Sequence, residues 1–155
     1  MDPGDEALRR VLDDCAPDVG SIHGGVDRVE LAEFRRAVDA GGANFLTSVY
    51  TPQERDHCGD RIEKLATRFA AKEATTKVLG TGIRGISLRE IEVVTMPSGQ
   101  PILRLHDRAR SRAAAMGIVS LSVSLSHTSA AAEAFVVALA SQSITHPTSP
   151  QENLL

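Results

Sequence analysis

Between Leu65 and Leu79 the chain has neither Gly nor Pro, and Gly80-Thr81-Gly82 follows at once. Such a run predicts a helix with a glycine stop, and the rest of the chain has to pack around it. At helical spacing Leu65, Ala66, Phe69, Ala70 and Ala74 form one apolar arc. Glu73 falls in the middle of that arc, with Lys77 one turn on. An unpaired buried charge costs far more than an exposed ion pair returns, so Glu73 requires a strong partner, either Lys77 or a metal ion. An ordinary Glu-Lys pair on a tilted helix accounts for the same spacing.

The chain has 155 residues, enough for one domain with a substantial core. It has no Trp and few aromatics, so that core must be built from Ala, Val, Leu and Ile. A net charge of −3 gives no general electrostatic reason to bind nucleic acid or membrane. No apolar run reaches membrane-spanning length, and MDPGDEALRR lacks a signal-peptide pattern, which predicts a cytoplasmic protein. Cys15 and Cys58 lack CxxC spacing and read as free thiols.

Along the chain, residues 1–20 read as a polar N-terminal extension with a short helical pattern from Glu6 to Leu12. Residues 21–26 suggest a short strand. Asp27, three residues before Glu30, has capping-box spacing and opens a predicted helix to about Asp39, ended by Gly41-Gly42. Thr51-Pro52-Gln53-Glu54 and Asp60-Arg61-Ile62-Glu63 are two further capping boxes, the second opening the central helix. Ile91 to Val94 and Ile102 to Leu105 predict a hairpin around Pro97–Pro101, and Asp107 caps a helix that stops at Gly117. Val119, Leu121, Val123 and Leu125 alternate with serines, as on a half-buried strand that exits at His127. Ala130 to Ala140 pairs with it as the last strand. Residues 141–155 have the composition of a disordered tail. Gly80-Thr81-Gly82 reads as a helix stop rather than a phosphate loop, and His127 by itself reads as a surface histidine.

The combination of motifs is more informative than any one of them. Gly25-Val26-Asp27, Arg68-Phe69-Ala70-Ala71-Lys72-Glu73-Ala74 with Lys77, Gly80-Thr81-Gly82, Ile91-Glu92-Val93, Gly99-Gln100-Pro101 and Ser124-Leu125-Ser126-His127 occur in order. Over roughly residues 21–140 the chain resembles the holo-acyl-carrier-protein synthases, the small trimeric phosphopantetheinyl transferases. The resemblance implies an α+β fold, helices packed on a small, mainly antiparallel sheet, and a homotrimer with coenzyme A in clefts between subunits. It implies transfer of the phosphopantetheine arm of coenzyme A to a serine of an apo acyl carrier protein. Asp27 and Glu73 match the family's magnesium ligands, and Lys77 supplies a charge to the same phosphates. Arg68 and His127 correspond to contacts for the nucleotide phosphates, while the turn from Gly99 to Pro101 would lie against the adenine. The acceptor of the serine proton stays open between Glu73 and a magnesium-bound water.

Two departures qualify the resemblance. His23 replaces the first Gly of the usual Gly-x-Gly-x-Asp, which predicts a less regular strand entering the site. Glu33, Asn44 and Ser48 stand where many relatives carry arginines facing the acidic carrier, leaving Arg28, Arg35 and Arg36 on the predicted first helix. A carrier-binding module that keeps the fold without catalysis is the alternative reading.

Overall fold

The computed structural model describes residues 19–82 and 84–141. The first strand, β1 (Val19–Glu30), is followed by α1 (Leu31–Val49), α2 (Pro52–Cys58) and α3 (Ile62–Val78). A 3-10 turn (Leu88–Glu90) leads into β2 (Ile91–Thr95) and β3 (Pro101–Leu105), then α4 (Asp107–Ala115), β4 (Ile118–His127) and β5 (Ala131–Ser141). β1, β5 and β4 form an antiparallel sheet with β5 in the centre, and β2 and β3 form a separate hairpin. The fold is α+β, as the sequence predicts.

Helix α3 lies across the inner face of the sheet. Ala70, Ala71, Ala74 and Val78 meet Ala134, Val136 and Ala138 of β5 and Val93 of β2. Small side chains on both surfaces let helix and sheet approach closely, and Gly25 marks the tightest point. A Cβ there would fall 2.1 Å from the Ala74 carbonyl oxygen, so β1 passes α3 only because residue 25 has no side chain. The chain has four Phe; Phe34, Phe45 and Phe69 cluster between α1 and α3, with ring centroids 5.4 to 6.2 Å apart. The fourth, Phe135, stands on the opposite face of the sheet with Ile22 and Val26, and all three are more than half exposed.

Several sequence expectations are corrected. Asp27 does not cap a helix; it sits inside β1, paired with Ala134, and helix α1 begins only at Leu31, where the Leu31 N–H donates to Ala130 at 2.8 Å. The local capping signal yields to a ladder supplied by β5, more than a hundred residues later. Arg28 accordingly lies on β1 and pairs with Glu30 and Glu133. Glycine ends the regular turn of α1 only locally: Gly42 adopts φ 53° and the helix resumes to Val49.

The Thr51–Glu54 capping box forms as expected, but Asp60 and Asp107 do not cap, since Arg61 and His106 hold those positions without side-chain caps. Val119 leaves the alternation because the register shifts between Ile118 and Ser120, which turns it outward. β1 pairs continuously from Ser21 to Glu30, so His23 does not make the strand irregular. Ser141 closes β5 rather than opening a tail. The helical pattern at Glu6 to Leu12, Cys15 and residues 142–155 lie outside the described residues. Cys58 is free and buried.

Candidate active site

The close approach at Gly25 determines what happens two residues later. Asp27 points to the same face of β1 as Gly25 and so reaches α3 one helical turn beyond Ala74. There the Lys77 ammonium donates to the Asp27 carboxylate at 2.9 Å and to the Val26 carbonyl at 2.6 Å. Glu73, one turn before Lys77, shares this corner. Burial, and then the Asp27 carboxylate, push the Glu73 carboxyl above the usual carboxylate range, with Lys77 opposing. Lys77 thus bonds to Asp27 and leaves Glu73, half-buried, without a side-chain hydrogen bond among the described residues. No group of three or more potential metal-ligating side chains occurs among the described residues. Two crowded carboxylates suit an ion such as magnesium, which keeps waters and takes its remaining ligands from a phosphorylated substrate.

A second group lies on another side of α3. Arg68 precedes Glu73 by five residues, which places the two side chains about 140° apart around the helix axis. Arg68 is 5% exposed; its guanidinium donates to the Thr95 hydroxyl at 2.8 Å and to the Lys64 carbonyl at 3.1 Å. Its Nε–H is buried with no acceptor. Arg68 lines a cleft of about 550 Å³ together with Gly99 and Pro101 of the β2–β3 turn and Val123 to Leu125 of β4. Gly99 adopts φ 88°, a conformation that the tight turn requires of it. His127 is exposed at the end of β4, two positions beyond Leu125, and is not among the lining residues of this cleft.

The predicted residues therefore gather in two places. Asp27, Glu73 and Lys77 form one corner; Arg68, Gly99 and Pro101 form the other; His127 joins neither within one chain. His57, Lys64 and Thr95 also line the cleft and carry no weight in the motif reading. Lys64 was within reach of sequence reasoning, because it precedes Arg68 by one turn on the same face.

A family model described as the 4′-phosphopantetheinyl transferase superfamily matches residues 24–140. The chain belongs to that superfamily. The transferase is 47% identical over 135 residues to a holo-[acyl-carrier-protein] synthase of Chloroflexus aurantiacus, covering 77% of this chain and 98% of the relative. It is similar to the Helicobacter pylori holo-[acyl-carrier-protein] synthase in complex with coenzyme A, at 32% identity and a TM-score of 0.68 over 74% of this chain and 98% of that one. A synthase–coenzyme A complex from Chronobacterium ammoniagenes matches at 30% identity and a TM-score of 0.69, over 77% and 98%.

One charged pair close to both groups is closed to ligands. The Lys72 ammonium, fully buried, donates to Glu54 at 2.8 Å and to the carbonyls of Leu88 and Ile91. Glu54 also accepts from the backbone N–H groups of Thr51 and Val93, at 2.9 and 2.8 Å. This network joins α2, α3 and β2, and so holds Thr95 beside Arg68.

Proposed function

We propose that the transferase moves the phosphopantetheine arm of coenzyme A to a serine of an apo acyl carrier protein, with magnesium held by Asp27 and Glu73. The observation that carries this reading is the corner where two carboxylates crowd each other beside Lys77, in a chain of the phosphopantetheinyl transferase superfamily. Magnesium at that corner would offset the charge that builds on diphosphate oxygens during attack. Lys77, half-exposed, supplies a point charge to the same oxygens. Glu73 or a water on the magnesium would take the serine proton. Arg68 binds nucleotide phosphate, and the turn at Gly99 and Pro101 bears on the adenine.

The two groups of site residues sit on different sides of α3, and His127 joins neither within one chain. The outer sheet face bears Ile22, Val26 and Phe135, which are 68%, 59% and 52% exposed. Apolar strands left bare in this way favour assembly with copies of the same chain. Both features support a homotrimer in which Asp27, Glu73 and Lys77 of one subunit face Arg68 and His127 of the next. No helix among the described residues is long and apolar enough to cross a membrane, and the reaction's water-soluble substrates fit a cytoplasmic enzyme. The test is to incubate the protein with coenzyme A, magnesium and apo carrier proteins. Intact mass should show the added arm on the carrier, dependent on magnesium; no carrier modified across a broad panel would refute the reading.

A further inference from the structure

Helix α3 carries Lys77 in its last turn, and the bonds that close the helix lengthen there. The Leu79 N–H donates to the Thr75 carbonyl at 2.9 Å, but those of Gly80 and Thr81 reach the Lys77 and Thr76 carbonyls only at 3.2 Å. Gly80 takes φ 68°, which ends the helix and leaves the Leu79 carbonyl without an acceptor's usual partner inside it. That partner comes from α4. Arg112 donates its Nε–H to the Leu79 carbonyl at 2.9 Å, and its Nη2 lies 3.7 Å from where a Cβ on residue 80 would stand. A guanidinium is favoured at this end of a helix, where unpaired carbonyls and the helix dipole are both negative. We infer that Arg112 is a positioning residue for the transfer: it fixes the end of α3, and so the place from which Lys77 meets the diphosphate. This inference rests on the transferase reading and extends it to a residue that lies outside every motif.

Lys77 and Leu79 are two positions apart, about 160° around the helix axis, so they face opposite ways. Leu79 is fully buried in a cluster with Ala109 and Ala113 of α4 and with Ile86 and Ile91. Lys77 faces β1, where the Asp27 carboxylate and the Val26 carbonyl take its ammonium. The last turn of α3 is therefore held between α4 on one side and β1 on the other. If it slips on the α4 side, Lys77 moves with it, and a displacement of about 1 Å at a reacting group can cost about a hundredfold in rate. Arg112 bonds to none of Asp27, Glu73 or Lys77 among the described residues, so its influence passes through the backbone of α3.

Arg108, one turn earlier on α4, provides the comparison that separates positioning from mere support. Its guanidinium donates to the Glu90 carboxylate at 2.8 and 3.1 Å, and Glu90 also accepts the Ala109 N–H at 3.1 Å. Arg108 thus ties α4 to the 3-10 turn that precedes β2. Both arginines anchor the same helix by a charged hydrogen bond. Only Arg112 reaches the helix that bears Lys77.

The test is steady-state kinetics of the full chain with magnesium, coenzyme A and an apo carrier that the wild type modifies, beside thermal melting of each variant. Arg112→Gln should lower kcat by about tenfold and leave KM for coenzyme A within about twofold, because the cleft at Arg68 is untouched. Arg112→Lys still carries a donor for the Leu79 carbonyl and should restore most of the rate. Arg108→Gln should lower the melting temperature without lowering kcat. The deciding measurement is Arg112→Gln in a Lys77→Met background, where it should cost little more, since the side chain it positions is gone. A merely supporting Arg112 would lower the rate by the same factor in both backgrounds. That result, or wild-type kcat in Arg112→Gln, overturns the inference while Lys77→Met remains impaired and the transferase reading stands. If the wild type transfers the arm to no carrier, the transferase reading falls and the inference with it.

Discussion

Lys72 and Glu73 are neighbours on α3, yet their surroundings differ in kind. Lys72 is fully buried, and each of its three protons has an acceptor; its partner Glu54 is equally enclosed by donors. Burial lowers the Lys72 ammonium from its ordinary range, with Glu54 opposing, but the network leaves nothing unsatisfied. Glu73 is half-buried beside a second carboxylate, and the nearest cation is bonded to that second carboxylate instead. A closed network stabilises and takes no ligand. An open one is strained until a cation arrives, and that difference is what the proposed function uses to separate a structural charge from a functional one on this helix.

The largest effect should come from opening the functional corner further. If Asp27 holds magnesium as proposed, Asp27→Ala should lower transfer by about a thousandfold or more, because a metal ligand contributes several kcal/mol to the barrier. Stability should change little, since Asp27 caps no helix and its bond to half-exposed Lys77 is worth at most about 1 kcal/mol. Steady-state rates measured beside thermal melting separate the two. A variant with near-normal turnover would remove Asp27 from the mechanism.

The closed network should respond in the opposite way. Lys72→Met strands Glu54 as an uncompensated buried charge and should cost roughly 3–5 kcal/mol of stability, enough to show as a large shift of the denaturation midpoint. The double variant Glu54→Gln with Lys72→Met removes the charge and keeps a side chain able to close the Thr51 box, so it should recover much of that loss. If the single variant is as stable as wild type, Lys72 does not hold α2, α3 and β2 together.

How much of this contrast could be read from the sequence depends on which contacts are local. Glu73 and Lys77 stand out because a charge interrupts an apolar arc at helical spacing, and both properties lie within two turns of one helix. Glu54 and Lys72 stay invisible as a pair: one reads as a capping residue, the other as a helix former, and they meet across two helices. Asp27 carries a capping pattern that β5 overrides, so the role proposed for it is accessible only through the resemblance. The cleft requires the turn at Gly99 to approach Arg68, a contact no spacing rule predicts. In contrast, the alternation along β4 and the glycine stop of α3 are local signals, and they suffice to place that strand and that helix.

A smaller effect should follow from neutralising Glu73. A carboxylate whose folded pKa is raised binds its proton more tightly in the folded state, so its contribution to stability is greatest at low pH and declines as pH rises through the unfolded value and then the folded one. At pH 7 without metal, Glu73 is therefore a cost. Glu73→Gln should melt slightly higher than wild type, by about 1–2 °C, while losing activity. Added magnesium should raise the melting temperature of wild type and leave that of the variant unmoved. Equal magnesium shifts in both proteins would show that Glu73 does not hold the ion.

A third kind of charge, fully solvated, completes the contrast and should have the smallest effect. Glu33, Arg35 and Arg36 are exposed on α1, and Asn44 and Ser48 are exposed beyond the kink at Gly42. Arg28 does not join them, since it is tied to Glu30 and Glu133 on the sheet. If this helix meets the carrier, as the resemblance implies, a carrier acidic along its recognition helix would be repelled by Glu33. Such a charge neither closes a network nor binds an ion; it acts through the solvent, mainly on encounter and orientation. Glu33→Arg should therefore raise kcat/KM on a generic acidic carrier by only about two- to fivefold at low salt, mostly through KM, and the gain should vanish near 0.5 M salt, where screening acts within a few ångströms. The native protein should prefer a carrier with a less acidic recognition helix. If it already modifies the acidic carrier efficiently and Glu33→Arg changes nothing at low salt, α1 does not choose its partner by charge, and the functional charges of this protein are confined to the corner at Asp27 and the cleft at Arg68.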